Sequence, residues 1–349
     1  MRRPQGLFIL DPETYDLVYA PHREAIGRHV DLIGSPQTSD SIRENTNLLQ
    51  DAELIFSGWG LPKIDNSFLD QAPNLRAIFY AAGGFDTAPA HRRGIAVTVA
   101  HLANSRPVAE YTLATILFSL KHGWRLSREL HQEQRFIPRN AAPGCYQATV
   151  GLISMGAVAR LLLPLLKPFD LNVVAYDPYL SEAEADALGV ERVSLDELFR
   201  RSDVVSLHSP EIPQTRRMIG GAHLAAMKPG ATFINTARGA IVRQDELIEA
   251  AKARPDLQFV LDVTDPEVLP RGHALYGLAN VVITPHIAGS AGGECRRLGQ
   301  YMVEELERYI EGKPLKWQAQ PTANPTPKLA LVSEAFVSAM PSRRVGAAV

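Results

Sequence analysis

Short runs of β-branched and aromatic residues recur along this chain, and stretches with helical spacing separate them. That alternation is the strongest constraint on the fold. Strands joined by a dozen or more helical residues pair in parallel, so the pattern demands parallel sheets covered by crossover helices. A first set of runs is LFIL (7–10), ELIFSG (53–58), RAIFYA (76–81) and IAVTV (95–99), with a weaker candidate at HVDLIG (29–34). A second set follows the Pro- and Gly-bearing stretch IPRNAAPG (137–144). It comprises ATVGLI (148–153), NVVAY (172–176), VVSLH (204–208), ATFIN (231–235), QFVLDV (258–263) and VVIT (281–284). Six such strands fit one doubly wound sheet.

Two long helical patterns join the sets, VAEYTLATILFSLKHGWRLSRELH (108–131) and GGECRRLGQYMVEELERYIEG (292–312). The second brings the chain back after the last strand. It predicts a unit of residues 102–291 inserted into another made of 1–101 and 292–318. The remainder, 319–349, opens on AQPTANPTPK, which reads as extended linker. LALVSEAFVSAM (329–340) has the pattern of a short docking helix.

The 349 residues are enough for two domains with sizeable cores. With 46% hydrophobic and 21% charged residues, the composition is that of a globular protein. A net charge of −2 gives no electrostatic reason to expect nucleic acid or an anionic membrane. Cys145 and Cys295 lack CxxC partners, so neither a disulfide framework nor a metal site is expected. The apolar run after MRRPQ stops at Asp11, too short for a secretory signal, and no run is long enough to span a membrane. The expectation is a cytoplasmic protein.

The first strand of the second set runs into GLISMGAVAR (151–160). A dinucleotide-binding turn reads G-x-G-x-x-G at this place, its glycines serving a tight turn, close approach to pyrophosphate and helix–strand packing. Here those positions are Ser154, Gly156 and Ala159. Gly156 is the one that lets phosphate reach the amides at the helix N-terminus, with Ala157 and Val158 next to it. Ala159 is an accepted substitute, whereas Ser154 does not favour positive φ as glycine does. Asp177 stands 21 residues after Gly156, at the end of the next strand. A carboxylate there accepts the adenosine ribose hydroxyls of NAD and repels the 2′-phosphate of NADP.

Ligands of a doubly wound sheet sit beyond the carboxyl ends of its strands. Arg238 follows ATFIN, Glu267 follows QFVLDV and His286 follows VVIT. Arginine holds a carboxylate with a planar fork. Histidine passes a proton to or from an alcohol near neutral pH. A glutamate beside it holds the imidazole in one orientation. With a nicotinamide cofactor supplying hydride, the set fits interconversion of a 2-oxo acid and a 2-hydroxy acid.

These segments resemble the D-isomer-specific 2-hydroxyacid dehydrogenases, the family of glyoxylate/hydroxypyruvate reductase and D-3-phosphoglycerate dehydrogenase. The most specific stretch is SDVVSLHSPEIPQTRRMIGGAHLAAMKPGATFINTARGAIV (202–242), followed by LDVTDPEVLP (261–270) and VVITPHIAGS (281–290). AAGGFD (81–86) and NSRPVAEYTLATILFSL (104–120) resemble the family's substrate loop and interdomain helix. The resemblance implies an α/β, two-domain protein, a Rossmann coenzyme domain inserted into a flavodoxin-like substrate domain. It implies Arg238, Glu267 and His286 as catalytic residues. NAD contacts would fall on Ala157, Val158, Asp177, Thr236, Ala237, Asp262 and the loop from His286 to Gly289. Gly83 and Gly84, with Arg238, would receive the substrate carboxylate. It further implies a homodimer through the coenzyme domain, acting on a small acid of glyoxylate, hydroxypyruvate, D-glycerate or phosphoglycerate type. Two other readings stay open: an NAD(H)-sensing, corepressor-like binding protein without turnover, and a Rossmann protein using another nucleotide.

Overall fold

A computed structural model describes residues 2–139 and 141–319. Among the described residues, twelve strands form two parallel sheets. The first contains β1 (Gln5–Ile9), β2 (Asp31–Leu32), β3 (Leu54–Ser57), β4 (Ala77–Tyr80) and β5 (Ala96–Val99) in the order β2-β1-β3-β4-β5. This is the flavodoxin-like order. The second contains β6 (Thr149–Ile153), β7 (Asn172–Tyr176), β8 (Glu191–Arg192), β9 (Val204–Leu207), β10 (Thr232–Asn235), β11 (Gln258–Leu261) and β12 (Val281–Ile283). Its order, β12-β11-β10-β9-β6-β7-β8, is the Rossmann order extended by one strand. Strand order reverses between β6 and β9, which places the crevice beside the end of β6.

The central strands bury both faces, as parallel sheets require. β3, β4, β9, β10 and β11 are buried along their whole length. The second sheet has seven strands where six apolar runs are legible. The additional one, β8, is two exposed charged residues on an edge, with no apolar signal to read.

The helical pattern 108–131 is two helices, His101–Leu120 and Gly123–Glu133. The first begins before Pro107, which it accommodates internally. The break falls at His122, whose φ is +50°. The first helix lies on the second sheet, where Ala109, Ile116 and Leu120 pack with Val150, Ala159 and Leu162. The returning helix, Cys295–Ile310, lies on the first sheet. It buries Cys295, Leu298, Met302, Val303 and Leu306 against Phe8, Tyr19, Phe56 and Phe79. Gly299 permits that contact, since a Cβ there would lie 2.0 Å from the Val18 carbonyl oxygen.

After this helix the backbone amides of Lys316 and Trp317 donate to the buried Glu305 carboxylate at 3.1 and 3.0 Å. The chain then bonds to β5, Val99 N to Trp317 O at 3.0 Å and Ala319 N to Val97 O at 2.8 Å. Of the tail expected over 319–349, all but Ala319 lies outside the described residues, including the expected docking helix. Both cysteines are free thiols. Among the described residues, no helix is long and apolar enough to cross a membrane.

Candidate active site

β6 delivers the chain to the crevice at Ser154, and Gly156 caps the helix Ala157–Leu166. A Cβ built on Gly156 meets nothing within 4 Å, so the backbone there faces open space. The first-turn amides behind it, at Ala157 and Val158, have no helical acceptors and form a positive helix end. Ala159, in the third glycine position, is buried and packs under the interdomain helix. Ser154 adopts the left-handed backbone that the first glycine position demands, with φ +75°. Its amide donates to Tyr176 O at 2.7 Å.

Asp177, just past β7, binds this turn. Its Oδ2 accepts the Met155 amide at 2.8 Å and the Ser154 hydroxyl at 3.3 Å, and its Oδ1 accepts the Tyr179 amide at 2.8 Å. Arg160 steadies the other side, donating through Nε to Met155 O at 2.8 Å and pairing with Glu184.

Two buried polar atoms, His208 Nε2 and Thr236 Oγ1, lie just past the carboxyl ends of β9 and β10 without a hydrogen-bond partner. Thr236 is foreseen in the sequence; His208 is not. Burial alone pushes the His208 imidazole down to about 4, so it is neutral at physiological pH. The open glycine-capped helix end, the strand-end carboxylate and these orphaned atoms together fit a bound dinucleotide.

Three neighbouring strands, β10, β11 and β12, carry the ionisable set. His286 Nδ1 and Glu267 Oε1 are 2.6 Å apart, both side chains half-exposed. That bond leaves Nε2 as the outward ring nitrogen. His286 has a left-handed backbone, φ +53°. Asp262 holds it there, accepting the His286 amide on its backbone oxygen at 3.0 Å. Its side chain accepts Ile287 N and Ala288 N, each at 2.9 Å, and the Thr284 hydroxyl at 2.6 Å. Tyr111, on the interdomain helix, bonds in turn to the Thr284 hydroxyl at 3.0 Å. Asp262 is thus buried and largely occupied by the loop, with one acceptor position left of a carboxylate's four or so.

Arg238 is exposed, and among the described residues its only side-chain hydrogen bond is to its own neighbour, Ala237 O, at 2.6 Å. Among the described residues it has no carboxylate partner. Gly239 brings its turn against the loop of Glu267, since a Cβ there would lie 2.0 Å from the Thr264 carbonyl carbon. Gln244 clasps that loop through both its amide atoms, at Asp265 O (2.7 Å) and Asp265 N (3.0 Å). Gly289 passes beside Asn104, whose Oδ1 accepts the Ser290 amide at 2.9 Å and so ties the histidine loop to the interdomain helix.

Gly83 and Gly84 are exposed just past β4 in the other sheet. Gly84 has φ +153°, and nothing lies within 4 Å of a Cβ built on Gly83. Tyr80 and Phe85 brace this loop edge to face, 4.8 Å apart. The structure therefore bonds His286 directly to Glu267, packs the Arg238 turn onto the same loop, and puts the Asp177 turn at the switch point of the same sheet.

Comparison with known proteins agrees with this geometry. A family model described as D-isomer specific 2-hydroxyacid dehydrogenase, NAD binding domain, matches residues 113–288. The chain is 35% identical to an (S)-sulfolactate dehydrogenase of Chromohalobacter salexigens over 287 residues, 77% of this chain and 92% of that one. It is 29% identical to a D-3-phosphoglycerate dehydrogenase of Methanocaldococcus jannaschii over 298 residues, 84% of this chain and 56% of that one. The chain spans about half the length of several D-3-phosphoglycerate dehydrogenases that it matches. A solved structure of D-lactate dehydrogenase from Aquifex aeolicus, complexed with NAD and lactic acid, superposes with a TM-score of 0.68 at 26% identity, covering 88% of this chain and 96% of that one. The match takes in the Rossmann sheet, the Asp177 turn and the loops of Arg238, Glu267 and His286, and the chain belongs to the D-isomer-specific 2-hydroxyacid dehydrogenase family, whose NAD-binding domain it carries.

Proposed function

We propose that this protein is an NAD-dependent oxidoreductase that interconverts a small 2-oxo acid and its D-2-hydroxy acid. The observation that carries the reading is the 2.6 Å His286–Glu267 pair, whose loop packs on the turn of Arg238, an arginine with no acidic partner among the described residues. A histidine backed by a carboxylate is built to move a proton, and a free guanidinium is built to take a carboxylate.

Bound NADH supplies the hydride. The Gly156, Ala157 and Val158 amides would hold its pyrophosphate and Asp177 its adenosine ribose. Thr236, Ala237, Asp262 and Gly289 would be its further contacts. Arg238 and the backbone at Gly83 and Gly84 hold the substrate carboxylate and so fix which carbon faces the cofactor. His286 Nε2 donates a proton to the carbonyl oxygen as that carbon is reduced, and takes it back in the reverse direction. Glu267 keeps the ring aimed.

The working division is a substrate-binding unit of residues 1–101 and 292–318 and a coenzyme unit of 102–291. A homodimer formed through the coenzyme unit is the proposed assembly; Phe118, Phe136 and Tyr146 on that unit are 44%, 73% and 73% exposed. The cytoplasm is the proposed location. The test is a panel of glyoxylate, hydroxypyruvate, pyruvate and 3-phosphohydroxypyruvate with NADH, followed at the nicotinamide absorbance. Turnover of at least one, abolished in Arg238→Ala, is expected. Failure of every 2-oxo acid, with NADH shown to bind, would leave a binding protein without turnover.

A further inference from the structure

The first glycine position of the coenzyme turn is a serine, and its side chain is engaged. Ser154 Oγ donates to Asp177 Oδ2 at 3.3 Å. The same oxygen accepts the Met155 amide at 2.8 Å, while Oδ1 accepts the Tyr179 amide at 2.8 Å. A carboxylate offers about four acceptor positions. Three are taken here, and two of those are on Oδ2. A ribose diol brings two donors, yet one position is open. The two backbone bonds are short and built into the turn. The serine bond is the longest and the one that a rotation about χ1 can release.

We propose that the Ser154 hydroxyl occupies the acceptor position on Asp177 that the second adenosine ribose hydroxyl of NAD needs, so that this serine sets coenzyme affinity by competing with it. The inference rests on the reading of Asp177 as the ribose acceptor. A glycine at this position has no side chain to offer, and leaves both remaining positions of the carboxylate to the ribose. The left-handed backbone, φ +75°, belongs to the turn with or without coenzyme and so cancels from the affinity. The hydroxyl does not cancel, because it must leave Asp177 for the diol to bind with both oxygens.

The test is direct titration of NADH by fluorescence on the purified protein and on Ser154→Gly, Ser154→Ala, Asp177→Ala and the double variant Ser154→Gly/Asp177→Ala. Glycine suits this backbone, so Ser154→Gly folds. Both Ser154 variants should bind NADH about three- to tenfold tighter, the gain expected from one displaced hydrogen bond. The gain should vanish in the Asp177→Ala background, and for reduced nicotinamide mononucleotide, which lacks the adenosine ribose. Unchanged or weaker NADH binding in the serine variants overturns the competition. So does a gain that persists without Asp177, or one confined to glycine, which would point to the backbone. If Asp177→Ala itself binds NADH as well as the parent does, the ribose reading fails and this inference falls with it. If Asp177→Ala weakens binding while the serine variants are unchanged, the competition alone is wrong.

Discussion

Of the non-glycine residues with a left-handed backbone in the coenzyme unit, two sit just past strand ends at the candidate site, Ser154 at φ +75° and His286 at φ +53°. They are held in different ways. The His286 loop closes over the buried Asp262, which accepts from His286, Ile287, Ala288 and Thr284. The Ser154 turn leans on Asp177, a half-buried carboxylate whose acceptors are shared among Met155, Tyr179 and Ser154 itself. A strained residue persists where its surroundings over-determine it. Around His286 the protein alone does so, and the imidazole is set before any ligand arrives. Around Ser154 the holding group is the one proposed to take the coenzyme's ribose, so on that reading geometry and affinity are coupled there.

The largest break in the comparison is chemical. His286→Ala should lower kcat about 10²- to 10⁴-fold, the usual worth of a general acid–base. NADH affinity should stay close to that of the parent protein. Stopped-flow turnover and an NADH titration on the same sample check both halves. Near-full turnover in this variant would mean the loop is set for some other purpose.

Next comes the group that holds each loop. Asp262→Ala strips acceptors from two backbone amides and a part-buried hydroxyl. It should cost about 2–4 kcal/mol in urea unfolding, the scale for orphaning several buried donors. Asp177→Ala faces solvent on one side and should cost less than about 1 kcal/mol while weakening NADH. Equal losses in the two variants would erase the distinction between a loop held from beneath and a turn held at its rim.

Much of this was readable from the residues, and the failures follow a pattern. Apolar runs located every long strand, because a parallel strand buried on both faces must be apolar. β8 carried no such mark, being two charged residues on an edge. The kink at His122 was invisible, since Lys121-His122-Gly123 sits in a helical pattern and only packing shows that the chain turns there. Strand-end logic selected Arg238, Glu267, His286 and Asp177. It could not say which of them bond, because side-chain direction past a strand end depends on the loop. His208 was missed on the same grounds: a histidine closing an apolar run looks like any strand terminus until its buried, unpartnered Nε2 is seen. Ser154 read only as a lost glycine, and nothing in sequence shows where its hydroxyl reaches.

Protons sharpen the comparison at a third level. Burial holds His208, beside the coenzyme turn, and His101, at the start of the interdomain helix, down at about 4 from an ordinary 6.5. Both are neutral in the fold. Once the pH falls below 6.5, the unfolded chain takes up protons that the folded chain refuses, so stability is lost on acidification and levels off below 4. At pH 5 each histidine should account for about 2 kcal/mol of that loss. His208→Asn and His101→Asn should each shrink the difference in unfolding free energy between pH 7 and pH 5 by about that amount. A pH 7-to-5 difference that neither variant changes would mean these rings protonate without unfolding.

The smallest expected effect separates affinity from stability at Ser154. A left-handed non-glycine residue costs about 1–2 kcal/mol, which Ser154→Gly relieves. Glycine's extra freedom in the unfolded chain takes back about 0.4–1 kcal/mol. The lost hydroxyl bond to Asp177, the same bond that the ribose displaces, takes back about 0.5–1.5 kcal/mol more. These contributions nearly cancel, so thermal unfolding of the coenzyme-free variant should match the parent to within about 1 kcal/mol, roughly 2–4 °C in Tm for a domain of this size. NADH should meanwhile bind severalfold tighter. Such a split marks the serine as a competitor for Asp177. A stabilisation of several kcal/mol in the free protein would instead mark Ser154 as a store of strain, and the turn would then differ from the His286 loop only in how much strain it keeps.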